Sequence, residues 1–317
     1  MTITKVTDAG LNKARLATPL IVNGDMAIAQ RATSTSSVSS GSTFPVDRYK
    51  FMPNALGTFT ISQSTTVPTG QGFSKSIKVD CTTANASPGD GSTLQLVQYL
   101  EGQNLQLLKK GTSSAEAVTI SFWVRSNKTG TYTLELYDND NTRQISQTYT
   151  ISSADTWEKK TVNFAGDTSG ALDNDNALSF AVQFWLATGA NYNNQTLSTS
   201  WSSVTQASRV SGSQVNIADN TANEWYITGL QMEIGTFDTN TIPAFPFESI
   251  DDNLRRCCRY FQDYASFKLW TTALDGNTTT RLGGVFAFNT TMRAAPSVSK
   301  TNNTGTIDSQ TITDKGY

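Results

Sequence analysis

Apolar and polar residues alternate with a period of two along much of residues 44–247, the spacing of strands with one buried face. The clearest run is AVTISFWVR, residues 117–125. Val118, Ile120, Phe122 and Val124 fall on one side; Thr119, Ser121, Trp123 and Arg125 fall on the other. Residues 126–130, SNKTG, form a turn signal, and TYTLELYD follows with Tyr132, Leu134 and Leu136 in phase. That pair predicts a β-hairpin. Further strands are predicted at 58–62, 74–81, 94–99, 147–151, 157–164, 178–187 and 224–234. In SFAVQFWLA, Phe180, Val182, Phe184 and Leu186 share one face. In WYITGLQMEI the phase slips at Gly229, which predicts a bulge. Many short strands without a repeat of 20–50 residues predict an all-β fold, a jelly-roll β-sandwich, rather than a propeller or β-helix.

One segment changes period. Leu254, Cys257, Cys258 and Phe261 follow helical i, i+3, i+4, i+7 spacing, with Arg255, Arg256 and Arg259 on the opposite side. Ser249 is a cap, and Asp251 and Asp252 suit the positive end of the helix dipole. Pro243 and Pro246 bar an earlier start. The expectation is one short helix near 250–263 whose arginines form a salt-bridged face. Beyond it, residues 266–274 and 278–288 flank the turn signal Asp275-Gly276-Asn277 and predict a small C-terminal β unit. Residues 1–20 are too short and mixed to build a core and read as an extended arm. Residues 32–43, ATSTSSVSSGST, read as a hydroxyl-rich loop or linker. The division is therefore 1–20 arm, 21–248 sandwich, and 249–317 helix plus C-terminal unit.

Composition narrows the function. Thr and Ser together make 80 of the 317 residues, and the chain contains no His. Ser-His-Asp and Cys-His catalysis are excluded, as are imidazole metal sites. A net charge of −2 without a cationic cluster argues against a nucleic-acid partner. Cys81, Cys257 and Cys258 show no CxxC spacing and read as buried reduced thiols. No apolar run has the length of a membrane span, and Met1 to Lys13 lack a signal-peptide core. A soluble protein made in the cytosol is expected, with no membrane insertion.

Three groups of residues offer chemistry. Trp123, Trp185, Tyr192 and Trp201 stand in polar phase or in loops, where aromatic faces can stack on sugar rings. The oxygen-rich turns with Asp138, Asp140, Asp167, Asp173 and Asp175 resemble calcium loops in composition only, so no cofactor is required and a structural calcium stays open. Glu101, Glu116, Glu135, Glu158, Glu224, Glu233 and Glu248 are scattered, and nothing spaces two of them for glycoside hydrolysis.

The segments PLIVNGDMAIAQRATS, FPVDRYKF, VTISFWVRSNKTGTYTLELYD, TWEKKTVNFAGDTSG, ITGLQMEIGTFDTNTIPAFPFE, LRRCCRYFQDY and TMRAAPSVS, taken together, resemble bacteriophage virion appendage proteins of the tail-fibre, head-fibre and collar type. PLIVNGDMAIAQRATS followed by FPVDRYKF is similar to their "NGDM-IAQRG…-DRW" opening. VTISFWVRSNKTGTYTLELYD and TWEKKTVNFAGDTSG are similar to their central hairpin and next strand. ITGLQMEIGTFDTNTIPAFPFE resembles "TGVQLEVG--ATPFE", LRRCCRYFQDY resembles "L--CQRYYQ", and TMRAAPSVS resembles "TMRA-PTVT". The match runs in order over roughly residues 19–300, departing at Cys258, where the family has Gln, and Met232, where it has Leu. The resemblance implies a jelly roll similar to carbohydrate-binding modules, a homo-oligomer, often a trimer, and residence in the virion after assembly in the host cytoplasm. It carries over no catalytic residue. Three functions are open. The first is a non-enzymatic fibre protein, anchored to other virion proteins by residues 1–20 and binding host-surface polysaccharide. The second is a purely architectural collar or head-decoration protein. The third is a capsule depolymerase using paired carboxylates.

Overall fold

The computed structural model describes residues 18–263 and 287–297. The arm before residue 18, the strand predicted at 266–274, the turn at 275–277 and nearly all of 278–288 lie outside these residues. Within them the fold is an antiparallel jelly-roll sandwich with one short helix.

Its strands are β1 (Ser34–Val38), β2 (Thr43–Val46), β3 (Tyr49–Asn54), β4 (Thr58–Ser64), β5 (Ser76–Thr83), β6 (Thr93–Glu101) and β7 (Val118–Ser126). They continue with β8 (Gly130–Asp138), β9 (Arg143–Ile151), β10 (Glu158–Phe164), β11 (Leu178–Thr188), β12 (Ser202–Ser203) and β13 (Glu224–Ile234). A six-stranded sheet runs β1-β4-β5-β13-β7-β10; a seven-stranded sheet runs β12-β9-β8-β11-β6-β3-β2. The two inner faces bury Phe51, Phe59, Ile61, Leu96, Phe122, Leu134, Phe184 and Trp225 in one apolar core. The hairpin predicted between residues 117–125 and 131–138 does not form: β8 pairs with β9 and β11 in the seven-stranded sheet, and β7 lies in the opposite sheet. TYTLELYD is thus a strand as expected, but the turn at 126–130 carries the chain from one sheet to the other. The alternating phase was satisfied by crossing the core, because both β7 and β8 bury their in-phase residues against it.

The bulge forms where the phase slips. The β13–β7 register shifts between Thr228 and Gln231, Gly229 has φ +64°, and the Phe73 ring lies 2.6 Å from where a Cβ would sit. The hydroxyl-rich segment 32–43 is not a loop. Ser34–Val38 pairs with β4 at the edge of its sheet, because Thr and Ser satisfy the ladder while Val38 alone turns inward.

The helix, α1 (Ile250–Cys258), starts as expected: the Asp252 N–H donates to Ser249 Oγ at 3.1 Å. It ends five residues early, so Phe261 is not on it. Its inward face also differs. Asn253, Cys257 and Cys258 are buried, while Leu254 is 37% exposed. A polar socket explains the rotation: Asn253 donates to Asp25 Oδ1 (3.0 Å), and Asn23 ties Ile28 and Asp47 together beneath it. The arginines pair as expected, Arg255 with Asp252, Arg256 with Glu248 and Arg259 with Glu101. All three cysteines are free thiols in buried positions. No helix among the described residues is long and apolar enough to cross a membrane.

Candidate functional site

The four aromatics expected to bind sugar do not converge. Trp123 is on the outer face of the six-stranded sheet, opposite Lys159 and Thr228. Trp201 leans on Phe180 and donates its indole N–H to the Ala165 carbonyl at 2.7 Å. Only Trp185 and Tyr192 meet, with ring centroids 5.3 Å apart on the outer face of the seven-stranded sheet. There Trp185 is fully buried, and its indole N–H donates to Glu135 Oε2 at 2.8 Å. The segment following β11 covers it. Ser211 N–H donates to Thr133 Oγ1, Gln214 Nε2 donates to the Trp185 carbonyl, and Arg209 grips Glu135 through two bonds of 2.8 and 2.9 Å.

The acidic turns hold a cation of the chain's own. Lys110 Nζ lies 2.5 Å from Asp138 Oδ2 and 3.0 Å from Asp167 Oδ2. It also donates to the Ser169 and Gly170 carbonyls at 2.9 and 2.8 Å. Arg143 completes the Asp167 pairing with bonds of 2.6 and 2.9 Å. Burial pushes the Asp167 carboxyl up, but the Arg143 and Lys110 bonds outweigh it and hold it below the ordinary aspartate value. Asp140 accepts from the Asp173 N–H, and Asp175 from the Ala177 N–H. Among the described residues, no three His, Cys, Asp or Glu side chains are grouped to hold a metal ion.

The glutamates are occupied as well. Glu101 accepts from Arg259, Tyr260 and Gln103; burial raises its pKa, and these bonds outweigh that to leave it lowered. Glu158 accepts from Lys160, Glu224 from Lys78 and Tyr226, Glu116 from Lys109, and Glu248 from Arg256.

The unoccupied chemistry lies in the middle of the seven-stranded sheet's outer face. Register sets three adjacent rows across β3, β6, β11 and β8. Tyr99, Ala181 and Tyr137 form one; Lys50, Val97, Gln183 and Glu135 the next; Met52, Gln95, Trp185 and Thr133 the third. Val97, Ala181, Gln183 and Gln95 are buried, while Lys50, Met52, Tyr99 and Tyr137 beside them are half-buried. The rows therefore make a shallow trough in the sense that buried side chains lie between longer, half-buried ones. One end is closed by Tyr192 and Arg209, whose guanidinium lies 5.1 Å from the Tyr137 ring centroid. The other is bordered by Tyr260, stacked on Arg48, and by the Glu101–Arg259 pair.

Gln95 and Gln183 point away from the core, between Leu94 and Leu96 and between Val182 and Phe184. They are only 8% and 7% exposed, yet among the described residues no hydrogen bond joins either side-chain amide, and the little of each that is exposed keeps its polar atoms in reach of solvent. Buried amides are normally paired. Two neighbouring ones left open at the base of an aromatic-rimmed trough present donors and acceptors to a ligand rich in hydroxyls. Strand phase alone marks Tyr99 and Tyr137 as outward, opposite Leu96, Leu100, Leu134 and Leu136, and that signal was available in the sequence. The placement of Gln95, Gln183, Lys50 and Arg209 depends on strand order.

No protein-family model matches the chain. No curated protein matches it. Solved structures similar to it include an enzymatically active domain of the bacteriophage CBA120 tailspike protein 4 (13% identity, TM-score 0.36), covering 68% of this chain and 21% of that one. The present chain thus spans about a fifth of the tailspike chain. Also similar are the family 11 carbohydrate-binding module from Clostridium thermocellum in complex with a mixed-linked tetrasaccharide (11%, 0.31; 65% and 98% covered) and a family 29 module complexed with mannohexaose (11%, 0.31; 67% and 99%).

Proposed function

We propose that this protein is a non-enzymatic structural protein of a phage virion appendage whose sandwich binds host-surface polysaccharide in the trough between Tyr99 and Tyr137. The observation that carries the binding site is the pair of unpartnered, nearly buried amides of Gln95 and Gln183. Each carboxamide can donate to one sugar hydroxyl and accept from the next, and the flanking tyrosine rings offer faces to sugar C–H groups. The partnered glutamates described above support a binding role over hydrolysis, since each is committed to a donor of the fold. The virion setting rests on the sequence resemblance, and residues 1–20 are its proposed anchor to other virion proteins.

The test is a glycan array of bacterial surface polysaccharides probed with multimerised protein, wild type beside Gln95→Leu/Gln183→Leu. Leucine keeps the volume and removes the amides. At about 0.5 kcal/mol for each of the four hydrogen bonds, about 2 kcal/mol in all, the double variant binds roughly 30-fold more weakly while staying as stable as wild type. Silence of wild type across the array would favour the architectural reading, and new reducing ends from capsule incubated with the protein would favour hydrolysis. Particles assembled with a deletion of residues 1–20 test the anchor: the truncated protein is expected to be missing from them.

A further inference from the structure

The charges around the trough are unbalanced. Among the described residues, Arg48, Lys50, Arg209 and Arg259 stand around it, with Glu101 and Glu135 as the carboxylates that pair with two of them and Asp47, itself paired with Arg31, in reach of Arg48, in a chain whose net charge is −2. Arg209 is committed to Glu135 and Arg259 to Glu101. Arg48 is half-buried against the Tyr260 ring and donates to the Tyr99 carbonyl. Lys50 remains. Its ammonium lies 5.4 Å from the Tyr99 ring centroid, and no carboxylate among the described residues pairs with it. It occupies the same row as Gln183, one strand beyond Val97. A half-buried, unpaired ammonium beside two open amides is a seat for an anion carried on a sugar.

We infer that the trough selects an anionic polysaccharide, with the acidic group of one residue set against Lys50 and the hydroxyls of the same or the next residue against Gln183 and Gln95. This rests on the trough being the glycan site. The charge on the ligand is a carboxylate, as in a uronate, or a phosphate, as in a polyol-phosphate polymer; both meet the ammonium in the same way. A neutral glycan would leave Lys50 desolvated without compensation, which is the basis of discrimination.

Calorimetric titration of the full chain with oligogalacturonate, a glycerol-phosphate oligomer and neutral mannohexaose tests it. One or both anionic ligands are expected to bind, at least tenfold more tightly than mannohexaose, and more weakly as salt is raised. Lys50→Met is expected to lose about tenfold toward the anionic ligand and nothing toward mannohexaose, while Lys50→Arg stays within about twofold of wild type. The arm that binds separates uronate from phosphate. Mannohexaose binding as tightly as either anion, or Lys50→Met matching wild type, would overturn the charge assignment and leave the trough as a glycan site. No binding to any of the three would overturn both.

Discussion

Replacing Lys110 with Met removes an ammonium that four oxygens surround at 2.5 to 3.0 Å. The side chain is only 4% exposed, and its carboxylate partners Asp138 and Asp167 are 0% and 3% exposed. Breaking such a buried pair from one side costs about 3–5 kcal/mol, because the carboxylate left behind has no compensating charge. Part of that loss is cushioned. Asp167 keeps Arg143, and Asp138 keeps the Asn141 backbone and side-chain N–H groups at 3.0 Å. The lower end, about 3 kcal/mol, is therefore expected, or roughly 6–12 °C in Tm for a domain of this size. Urea unfolding followed by tryptophan fluorescence measures it directly. Adding Asp138→Asn to Lys110→Met restores stability, since the stranded charge is then gone. A Lys110→Met protein within about 0.5 kcal/mol of wild type, the scatter of neutral surface substitutions, would refute the clamp.

Three further outcomes follow from the same geometry. Gly24→Ala places a Cβ 2.2 Å from the Leu230 carbonyl oxygen, so the opening segment must lift from the sheet; a loss above about 2 kcal/mol is expected in chemical denaturation. Ser249→Ala removes the α1 cap and costs about 1 kcal/mol, read in the same assay. Asp167 and Glu101 have lowered pKa values in the folded protein, so their stabilisation is complete above the ordinary carboxylate range and is lost as pH falls through the lowered folded values. Asp25 and Asp47, raised chiefly by burial, act oppositely and favour the fold as they protonate. Asp167→Asn should accordingly flatten the loss of stability measured by urea titrations stepped below pH 5, and Asp25→Asn should steepen it.

Much of the sandwich was legible because each strand carries its own signal. Val118 to Val124 and Phe180 to Leu186 alternate whatever they pair with, and Ser249 caps a helix from local geometry alone. The edge strand Ser34–Val38 was not legible, since one inward Val among hydroxyls gives no alternation. The phase of Trp185 places it outward correctly, but its cover arrives from residues 192–214, a tertiary event with no local pattern. The same is true of Asn253, whose socket is made by Asn23 and Asp25 more than two hundred residues away. Lys110 sits in an unremarkable polar turn of the sequence; only the fold brings Asp138 and Asp167 to it.

The most direct test of the account is a side-chain amide NMR titration of the full chain with the polysaccharide that scores best on the array. The resonances of Gln95 and Gln183, assigned by single Gln→Leu substitutions, should shift in proportion to occupancy, and the indole resonance of Trp123 on the opposite sheet should stay still. Shifts confined to Trp123 and its neighbours, with both glutamine amides unmoved at saturation, would contradict it.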